Sequence, residues 1–160
     1  MKLQVSIRNG RLDDLADILN LFTGTVSAIC NSDYNSDQIR EWVSGAENKT
    51  RWHEIITGQY FLVVEDQNRI VGFCSLDKGN YIDLIYVHKD HQHQGITFQL
   101  YTEIEKEAIR KKQNILISDV SINARSFFER IGFISEKEQV VIRNGTALTN
   151  YKMKKILGEG

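Results

Sequence analysis

Apolar residues in the first third of the chain recur at the spacing of a helix. Between Leu12 and Phe22 they lie three or four positions apart, which places them on one helical face. A second helix is predicted to begin after Asn35 or Ser36, either of which is a good cap, and to run through Val43. The pattern adds two short elements, a strand at 5–7 and a helix at 50–56.

The spacing of apolar residues changes between 60 and 87, where three consecutive strands are predicted. They cover 60–64, 69–75 and 81–87, and a tight turn at Asp66-Gln67-Asn68 joins the first two. The third strand is apolar on both faces apart from Asp83. We therefore expect it to be central in a sheet and covered on both sides.

The second half of the chain predicts a crossover followed by a hairpin. A helix over 94–112 is followed by a strand at 114–118, which should be parallel to the preceding strand because a helix separates them. A short helix containing Phe127 and Phe128 ends at Gly132. Strands at 133–142 and 148–153 close the chain. This order predicts one α/β (α+β mixed) domain over 1–160, with a mixed sheet flanked by helices.

Composition excludes several classes of protein. The chain has 160 residues, a charged fraction of 26% and a net charge of −1, so no basic excess indicates nucleic acid. No apolar run approaches the ~20 residues of a membrane span, and the polar start does not resemble a signal peptide. We expect a cytoplasmic protein, with Cys30 and Cys74 as buried, reduced thiols.

The segment after the third central strand is the most informative for chemistry. A polar turn over 88–94 leads to Gly95, and a long helix follows. Free N–H groups at a helix N-terminus form an anion site that suits a diphosphate, and Gly95 lets a ligand approach the backbone. Many strand–turn–helix units bind nothing, so the spacing alone leaves both interpretations open.

Two motifs in this sequence resemble those of the GNAT superfamily of acyl-CoA N-acyltransferases. Gln92-His93-Gln94-Gly95-Ile96-Thr97 resembles the Gln/Arg-x-x-Gly-x-Gly/Ala signature, and residues 83–88 resemble the strand before it. Residues 124–133 resemble the second motif, Ala-x-x-Phe-Tyr-x-x-x-Gly-Phe, and the C-terminal strands resemble one bacterial branch. The resemblance covers nearly the whole chain. It implies a mostly antiparallel sheet of about seven strands with splayed central strands, flanked by four to five helices.

The resemblance also implies where acetyl-CoA would bind as co-substrate. The diphosphate would lie on the backbone of Gln92, His93, Gln94, Gly95, Ile96 and Thr97. The pantetheine arm would follow the strand at Tyr86, Val87 and His88. The opposite wall would be formed by Ser121, Asn123, Ser126 and Phe127.

Two positions depart from the family pattern. Thr97 occupies a place where Gly or Ala is usual, which narrows the pocket but adds a hydroxyl. Phe128 occupies the place of a tyrosine that in many members protonates the departing thiolate, and a phenyl ring cannot donate a proton. Tyr151 or Tyr86 is expected to substitute, or else solvent.

Asp83 is the candidate general base. Strict alternation places it on one strand face with Tyr81, Ile85 and Val87, in apolar surroundings that would raise its pKa towards the useful range. In the family an acidic residue on this strand often acts as base. Two other interpretations stay open: Asp83 contacts the substrate amine, or it pairs with a lysine.

Other residues allow both a functional and a structural interpretation. His88, His91 and His93 have spacings that suggest a metal, but only Asp90 is near to complete a site, so no metal is expected. Trp42 and Trp52 belong either to the core or to the wall of an acceptor pocket.

The sequence thus predicts an N-acetyltransferase that acts on a primary amine of a small molecule or protein. The amine would attack acetyl-CoA directly in a ternary complex, with no nucleic-acid or membrane partner, in a monomer or homodimer. The alternative is a GNAT-like module that binds acyl-CoA as a sensor without turnover.

Overall fold

Within residues 5–158, seven strands form one sheet, and five α-helices lie on its two faces. The computed structural model describes residues 5–158. The strands are β1 Ser6–Asn9, β2 Tyr60–Asp66, β3 Arg69–Asp77, β4 Tyr81–Val87, β5 Ile115–Ser121, β6 Ile134–Arg143 and β7 Thr146–Ile156. The helices are α1 Leu15–Ile29, α2 Ser36–Ser44, α3 Lys49–Gly58, α4 Ile96–Arg110 and α5 Arg125–Arg130. The predicted fold class is confirmed.

The strand order is β1-β2-β3-β4-β5-β7-β6, so β4 is central as predicted. All neighbours are antiparallel except β4 and β5, which are parallel. The reason is the crossover through α4, since a parallel neighbour cannot be reached by a tight turn.

Two apolar clusters cover the two faces of the sheet. One lies beneath α1–α3 and includes Ile18, Phe22 and Trp52. The other lies beneath α4 and α5 and includes Leu100, Ile104 and Leu116. Cys30 and Cys74 are buried and free, as predicted. Between residues 5 and 158, no helix is both long and apolar enough to cross a membrane.

Strands β4 and β5 pair over only two positions, and this opening positions the site. Tyr81 is opposite Ile117 and Ile82 is opposite Ser118, whose hydroxyl donates to the Ile82 carbonyl oxygen at 2.8 Å. Beyond Ile82 the two strands diverge, while β5 stays paired with β7 along its whole length. The splayed central strands expected from the resemblance are therefore present.

Several predicted boundaries differ from those observed. The first helix begins with a 3₁₀ turn at Leu12–Asp14 and extends to Ile29, beyond Phe22, the last residue of the apolar pattern that predicted it. The extension is stabilised by packing, because Val26 is fully buried beneath the sheet. Strand β5 likewise continues to Ser121, since its pairing with β7 supports it.

Candidate active site

Strand β4 contains a β-bulge at Asp83. Ser75 of β3 is opposite Leu84, and the next residue, Leu76, is opposite Ile82. Asp83 is therefore the extra residue of the pair, and such an insertion bends the strand and changes which face the following side chains occupy.

The bulge overturns the predicted placement of Asp83. Its carboxylate accepts hydrogen bonds from Gln59 Nε2 at 2.8 Å and from Arg51 Nη2 at 3.2 and 3.4 Å, on the α3 side of the sheet. Ile85 and Val87 pack on the opposite side, beneath α4. The predicted apolar surroundings and the predicted shared face with Ile85 and Val87 are wrong, because strict alternation does not survive a bulge.

The backbone of β4 offers unpaired donors to the opening. The N–H of His88 donates to the Val71 carbonyl oxygen at 2.8 Å, on the β3 side. Because successive residues of a strand alternate their N–H direction, the N–H groups of Val87 and Ile85 are directed away from β3, towards the splay. The ladder with β5 does not extend to these positions.

The turn between β4 and α4 is closed by the side chain of Gln92. Its Nε2 donates to the carbonyl oxygens of Val87 at 2.7 Å and His88 at 3.3 Å. His93 and Gly95 both adopt left-handed backbone, with φ of 61° and 81°. No heavy atom lies within 4 Å of the position that a Cβ of Gly95 would take, so the N-terminus of α4 is open to a ligand.

The histidines beside this turn are engaged with neighbouring groups. His88 Nδ1 accepts the Asp90 backbone N–H at 3.0 Å, and burial lowers the pKa of His88. His91 Nε2 lies 3.6 Å from Asp66 Oδ2. Within the described part of the chain, no group of three or more His, Cys, Asp or Glu is arranged to hold a metal ion.

A cleft of about 1280 Å³ runs through the opening between β4 and β5. It is larger than the 300–1,000 Å³ of ordinary small-molecule pockets, so it has room for a long ligand and an acceptor together. Eleven of the residues proposed from sequence to contact acetyl-CoA line it: Tyr86, Val87, Gln92, His93, Gly95, Ile96, Thr97, Ser121, Asn123, Ser126 and Phe127. His88 and Gln94 do not line it.

The far end of the cleft has an aromatic wall and a small set of charges. Trp52 is 5% exposed and belongs to the core, yet it also lines the cleft, as Trp42 does. Trp52 therefore belongs to the core and also lines the cleft, and the assignment of this part of the cleft to an acceptor stays a prediction. The charged side chains at this end are Arg51, Asp83, Asp119 and Arg143.

The structure separates the two tyrosines considered as proton donors. Tyr151 is not part of the cleft wall: its hydroxyl is 3.2 Å from Glu138 Oε1, and the Arg125 guanidinium lies 4.2 Å from its ring centroid. Its predicted catalytic role has no support, because β7 directs it towards the edge strand. Tyr86 does line the cleft, and burial raises the pKa of its phenol, partly offset by hydrogen bonding with Trp42.

Phe128 and Tyr34 show how the cleft walls are held. Phe128 is 3% exposed and packs edge-to-face on Phe133, with ring centroids 5.0 Å apart. The Tyr34 hydroxyl donates to the Thr149 carbonyl oxygen at 2.6 Å and accepts the Ile122 N–H at 2.9 Å. Tyr34 thus links the α1–α2 connection to the end of β5 and to β7.

Sequence reasoning missed Arg51 and Gln59, the two partners of Asp83. They precede Asp83 by 32 and 24 residues and reach it only because α3 packs on the sheet. One signal was available: Arg51 directly precedes the buried Trp52 in α3, so it lies at the border of the helix face that contacts the sheet.

Known proteins provide an independent comparison. The chain is 29% identical over 150 residues to the uncharacterized N-acetyltransferase YafP of Escherichia coli K12, covering 94% of this chain and 95% of that protein. A GCN5-related N-acetyltransferase from Rhodopseudomonas palustris superposes with a TM-score of 0.94 at 30% identity, over 98% of this chain and 99% of that one. The PaiA N-acetyltransferase of Thermoplasma acidophilum, solved in complex with coenzyme A, shares the fold at 19% identity and a TM-score of 0.81, over 96% and 99%.

A family model gives the assignment directly. Residues 30–155 match the model described as an acetyltransferase (GNAT) domain, a span that includes the splay, the turn at Gly95 and both sequence motifs. The chain therefore belongs to the GNAT family of acyl-CoA-dependent acetyltransferases.

Proposed function

We propose that this protein transfers an acetyl group from acetyl-CoA to a primary amine by direct attack in a ternary complex. The observation that carries the proposal is the opening between β4 and β5, which places unpaired β4 backbone beside the open N-terminus of α4. One end of the cleft suits a long anionic co-substrate, and the other end offers a carboxylate for an amine.

We assign the end of the cleft beside α4, here called the cofactor half, to acetyl-CoA because of the backbone donors that it presents. The diphosphate binds the N–H groups of residues 92–97, beside the positive end of α4. The pantetheine arm lies along β4 as an added strand and uses the N–H group of Val87, the unpaired β4 donor nearer to the turn. Asn150 contributes an acceptor, because its buried Oδ1 lines the cleft and has no donor among the described residues, while pantetheine carries amide N–H groups.

The acetyl transfer needs three actions from the protein. The amine loses a proton to Asp83, whose Oδ2 is held by Gln59 and whose Oδ1 has only the 3.4 Å contact with Arg51. The nitrogen then forms a bond with the thioester carbon, and the Ile85 N–H, the unpaired β4 donor nearer to Asp83, stabilises the oxyanion. As the C–S bond breaks, the nitrogen gives up its second proton to become the amide; the Tyr86 hydroxyl, which lines the cleft, passes a proton to the leaving thiolate and recovers one from the nitrogen through water.

Direct attack is favoured over an acetyl-enzyme intermediate. Cys30 is the thiol that lines the cleft, and burial raises its pKa to about 12. A nucleophilic cysteine needs a lowered pKa, because the thiolate is the reactive species. Cys30 therefore stays protonated and takes no acetyl group.

A second candidate function is a module that binds acyl-CoA without turnover. Two observations favour it: Phe128 replaces the expected tyrosine, and Arg51 already neutralises Asp83. This candidate requires the same cofactor half but no reaction with any amine.

Thermal unfolding with and without acetyl-CoA is the first test. Ligand at about 100 times its Kd adds about 2.7 kcal/mol of stability, which for this length raises Tm by roughly 5–11 °C. A Tm that does not change at millimolar acetyl-CoA contradicts both candidates. A shift followed by release of free coenzyme A thiol with an amine supports the transferase, and a shift without release from a broad amine panel supports the binding module.

A further inference from the structure

The acceptor end of the cleft presents a carboxylate and a guanidinium joined in one exchangeable pair. We propose that the acceptor is a zwitterion, an amine with a carboxylate on the adjacent carbon, whose ammonium binds Asp83 and whose carboxylate binds Arg51. The chemical class is a free α-amino acid with a large apolar side chain. This inference rests on the proposed acetyltransferase function and specifies its substrate.

The two members of the pair differ in exposure. The side chain of Asp83 is 13% exposed, whereas that of Arg51 is 56% exposed. Ion pairs with an exposed partner contribute about 0–1 kcal/mol, so a ligand can replace either half of this contact at little cost. In the absence of ligand, Arg51 and Asp83 therefore occupy each other's binding positions. A ligand that carries both a cation and an anion can replace this contact.

Asp83 is fixed independently of Arg51. Gln59 Nε2 donates to Asp83 Oδ2 at 2.8 Å, and this contact is shorter than either contact with Arg51. When Arg51 moves aside, the carboxylate keeps its orientation, and its Oδ1 is free to accept an ammonium N–H. The long arginine arm on the surface of α3 is the part of the site that can adjust.

A zwitterion satisfies both charges at once, which a simple amine cannot do. An ammonium alone at Asp83 competes with Arg51 for the same carboxylate and brings a second cation close to the guanidinium. A ligand carboxylate removes this repulsion, because arginine binds carboxylates through two parallel hydrogen bonds. The cleft thus discriminates by charge pattern as well as by the presence of an amine.

The aromatic wall identifies the remainder of the acceptor. Tyr34 and Trp42 pack edge-to-face with ring centroids 5.3 Å apart, and Phe22 contacts both Trp52 and Tyr86 in the same manner. All five side chains line the cleft. Such a wall gains most from an aromatic or large aliphatic side chain, which buries apolar area and packs on ring faces and edges.

The test compares amines that differ in the carboxylate alone. Release of coenzyme A thiol from acetyl-CoA is measured with L-tryptophan, L-tryptophanamide and tryptamine, and with the corresponding sets from phenylalanine and leucine. We expect kcat/KM at least about tenfold higher for at least one acid than for its amide and its decarboxylated amine, the discrimination that one lost charged partner gives. Calorimetry with coenzyme A present should show that the acid binds more tightly than its amide and its decarboxylated amine.

Variants of Arg51 assign the discrimination to this residue. In Arg51→Gln the ratio of kcat/KM for acid over amide should fall to within about threefold, and Arg51→Lys should retain part of it because a cation remains. Arg40→Gln is the matched control, since Arg40 is a 77% exposed arginine of α2 that pairs with Asp37 outside the cleft wall. Its ratio should equal that of the unmodified protein.

Three results would overturn the inference while leaving the proposed function in place. The first is binding of acetyl-CoA with turnover of amides or decarboxylated amines at rates equal to those of the acids. The second is an acid preference that survives Arg51→Gln and disappears in Arg143→Gln. The third is binding of acetyl-CoA with no zwitterion detected as substrate or ligand. Absence of any Tm shift with acetyl-CoA instead removes the proposed function itself.

Discussion

The two halves of the cleft are built from different parts of the polypeptide. The cofactor half consists mostly of main chain: free N–H groups of β4, the turn at 92–95 and the first turn of α4. The acceptor half consists mostly of side chains from α1, α2, α3, β4 and the β6–β7 hairpin. Backbone donors are the same for any sequence that adopts the turn, whereas side-chain contacts depend on which residues meet.

This difference explains what each half can bind. A surface of N–H groups recognises phosphates and amides, which suits a co-substrate shared by many enzymes. The wall that contains Trp42 and Trp52, together with the Arg51–Asp83 pair, is the part that we propose to recognise one shape and one charge pattern. We expect substitutions in the first half to change cofactor affinity and substitutions in the second half to change turnover and choice of amine.

Gly95→Glu is expected to have the largest effect and acts only on the cofactor half. Gly95 has a φ of 81°, so any side chain there costs about 1–2 kcal/mol of strain. A carboxylate about 4 Å from a bound phosphate adds roughly 4 kcal/mol of repulsion at an effective dielectric of 20, which is roughly a 1000-fold loss of affinity. The acetyl-CoA-dependent rise in Tm should disappear.

Gly145→Glu is the control for strain, because Gly145 has the same φ of 81° and equally open surroundings in the β6–β7 turn. It should lower Tm as Gly95→Glu does and retain the shift with acetyl-CoA. A normal shift in Gly95→Glu would mean that the diphosphate lies elsewhere.

Asp83→Asn tests the acceptor half and should leave the cofactor half intact. Loss of the base is expected to reduce kcat at neutral pH by roughly 100-fold or more, with an unchanged Tm shift on adding acetyl-CoA. Part of the rate should return at higher pH, where more of the amine is already deprotonated. Steady-state assays across pH with a cognate amine provide the measurement.

Asp119→Asn provides the comparison for Asp83, because Asp119 is a cleft carboxylate that accepts bonds from Tyr81 at 2.7 Å and Gln139 at 2.7 Å. Its effect on kcat should stay below about tenfold. If Asp83→Asn leaves the rate of a cognate amine untouched, Asp83 is not the base.

Tyr34→Phe tests the joint between the two halves. Removing the hydroxyl leaves the Thr149 carbonyl and the Ile122 N–H without their partner, at a cost of about 1–3 kcal/mol, so Tm should fall by roughly 2–12 °C. Tyr81→Phe removes a hydroxyl bonded to an exposed carboxylate and should cost less than about 1 kcal/mol. Equal losses in the two variants would argue against Tyr34 as a structural link.

The smallest expected effect is a pH dependence at the edge of the cofactor half. Burial lowers the pKa of His88 in the folded protein, although Asp90 opposes the shift and His91, Arg69 and Lys89 add to it. The unfolded chain therefore takes up a proton first as pH falls below about 6.5, so stability decreases there. His88→Asn keeps an acceptor for the Asp90 N–H and should reduce the difference in Tm between pH 7.5 and 5.5 by less than about 3 °C. If Tm depended on pH identically in His88→Asn and in the unmodified protein, the lowered pKa of His88 would be contradicted.

The order and type of the main elements could be predicted from periodicity. Strand β4 was expected to be central because it is apolar on both faces, and α4 was expected to impose a parallel neighbour. The end of α1 was not predictable in the same way. Its last turns depend on packing against the sheet rather than on local propensity.

The two halves of the site also differ in how well they could be predicted from local sequence. The position of the Gly95 turn was found from sequence because a buried strand, a polar turn, a glycine and a long helix follow one another along the chain, and residues 92–97 resemble a family motif. The face of Asp83 was predicted wrongly, since one inserted residue reverses a period of two. Tyr151 was assigned to the cleft on chemistry alone, and the pairing of β7 directs it elsewhere.

The sequence by itself determined the family, the order of strands and helices along the chain, and the location of the Gly95 turn that we propose as the diphosphate site, because motifs, local spacing and a glycine indicate each of these. Only the tertiary structure decided the partners of Asp83, the aromatic wall and the position of Tyr151 outside the cleft wall. The physical reason is distance along the chain. Arg51, Asp83 and Arg143 line one cleft only when α3, β4 and β6 are packed, and no local pattern carries information about an arrangement formed by that packing.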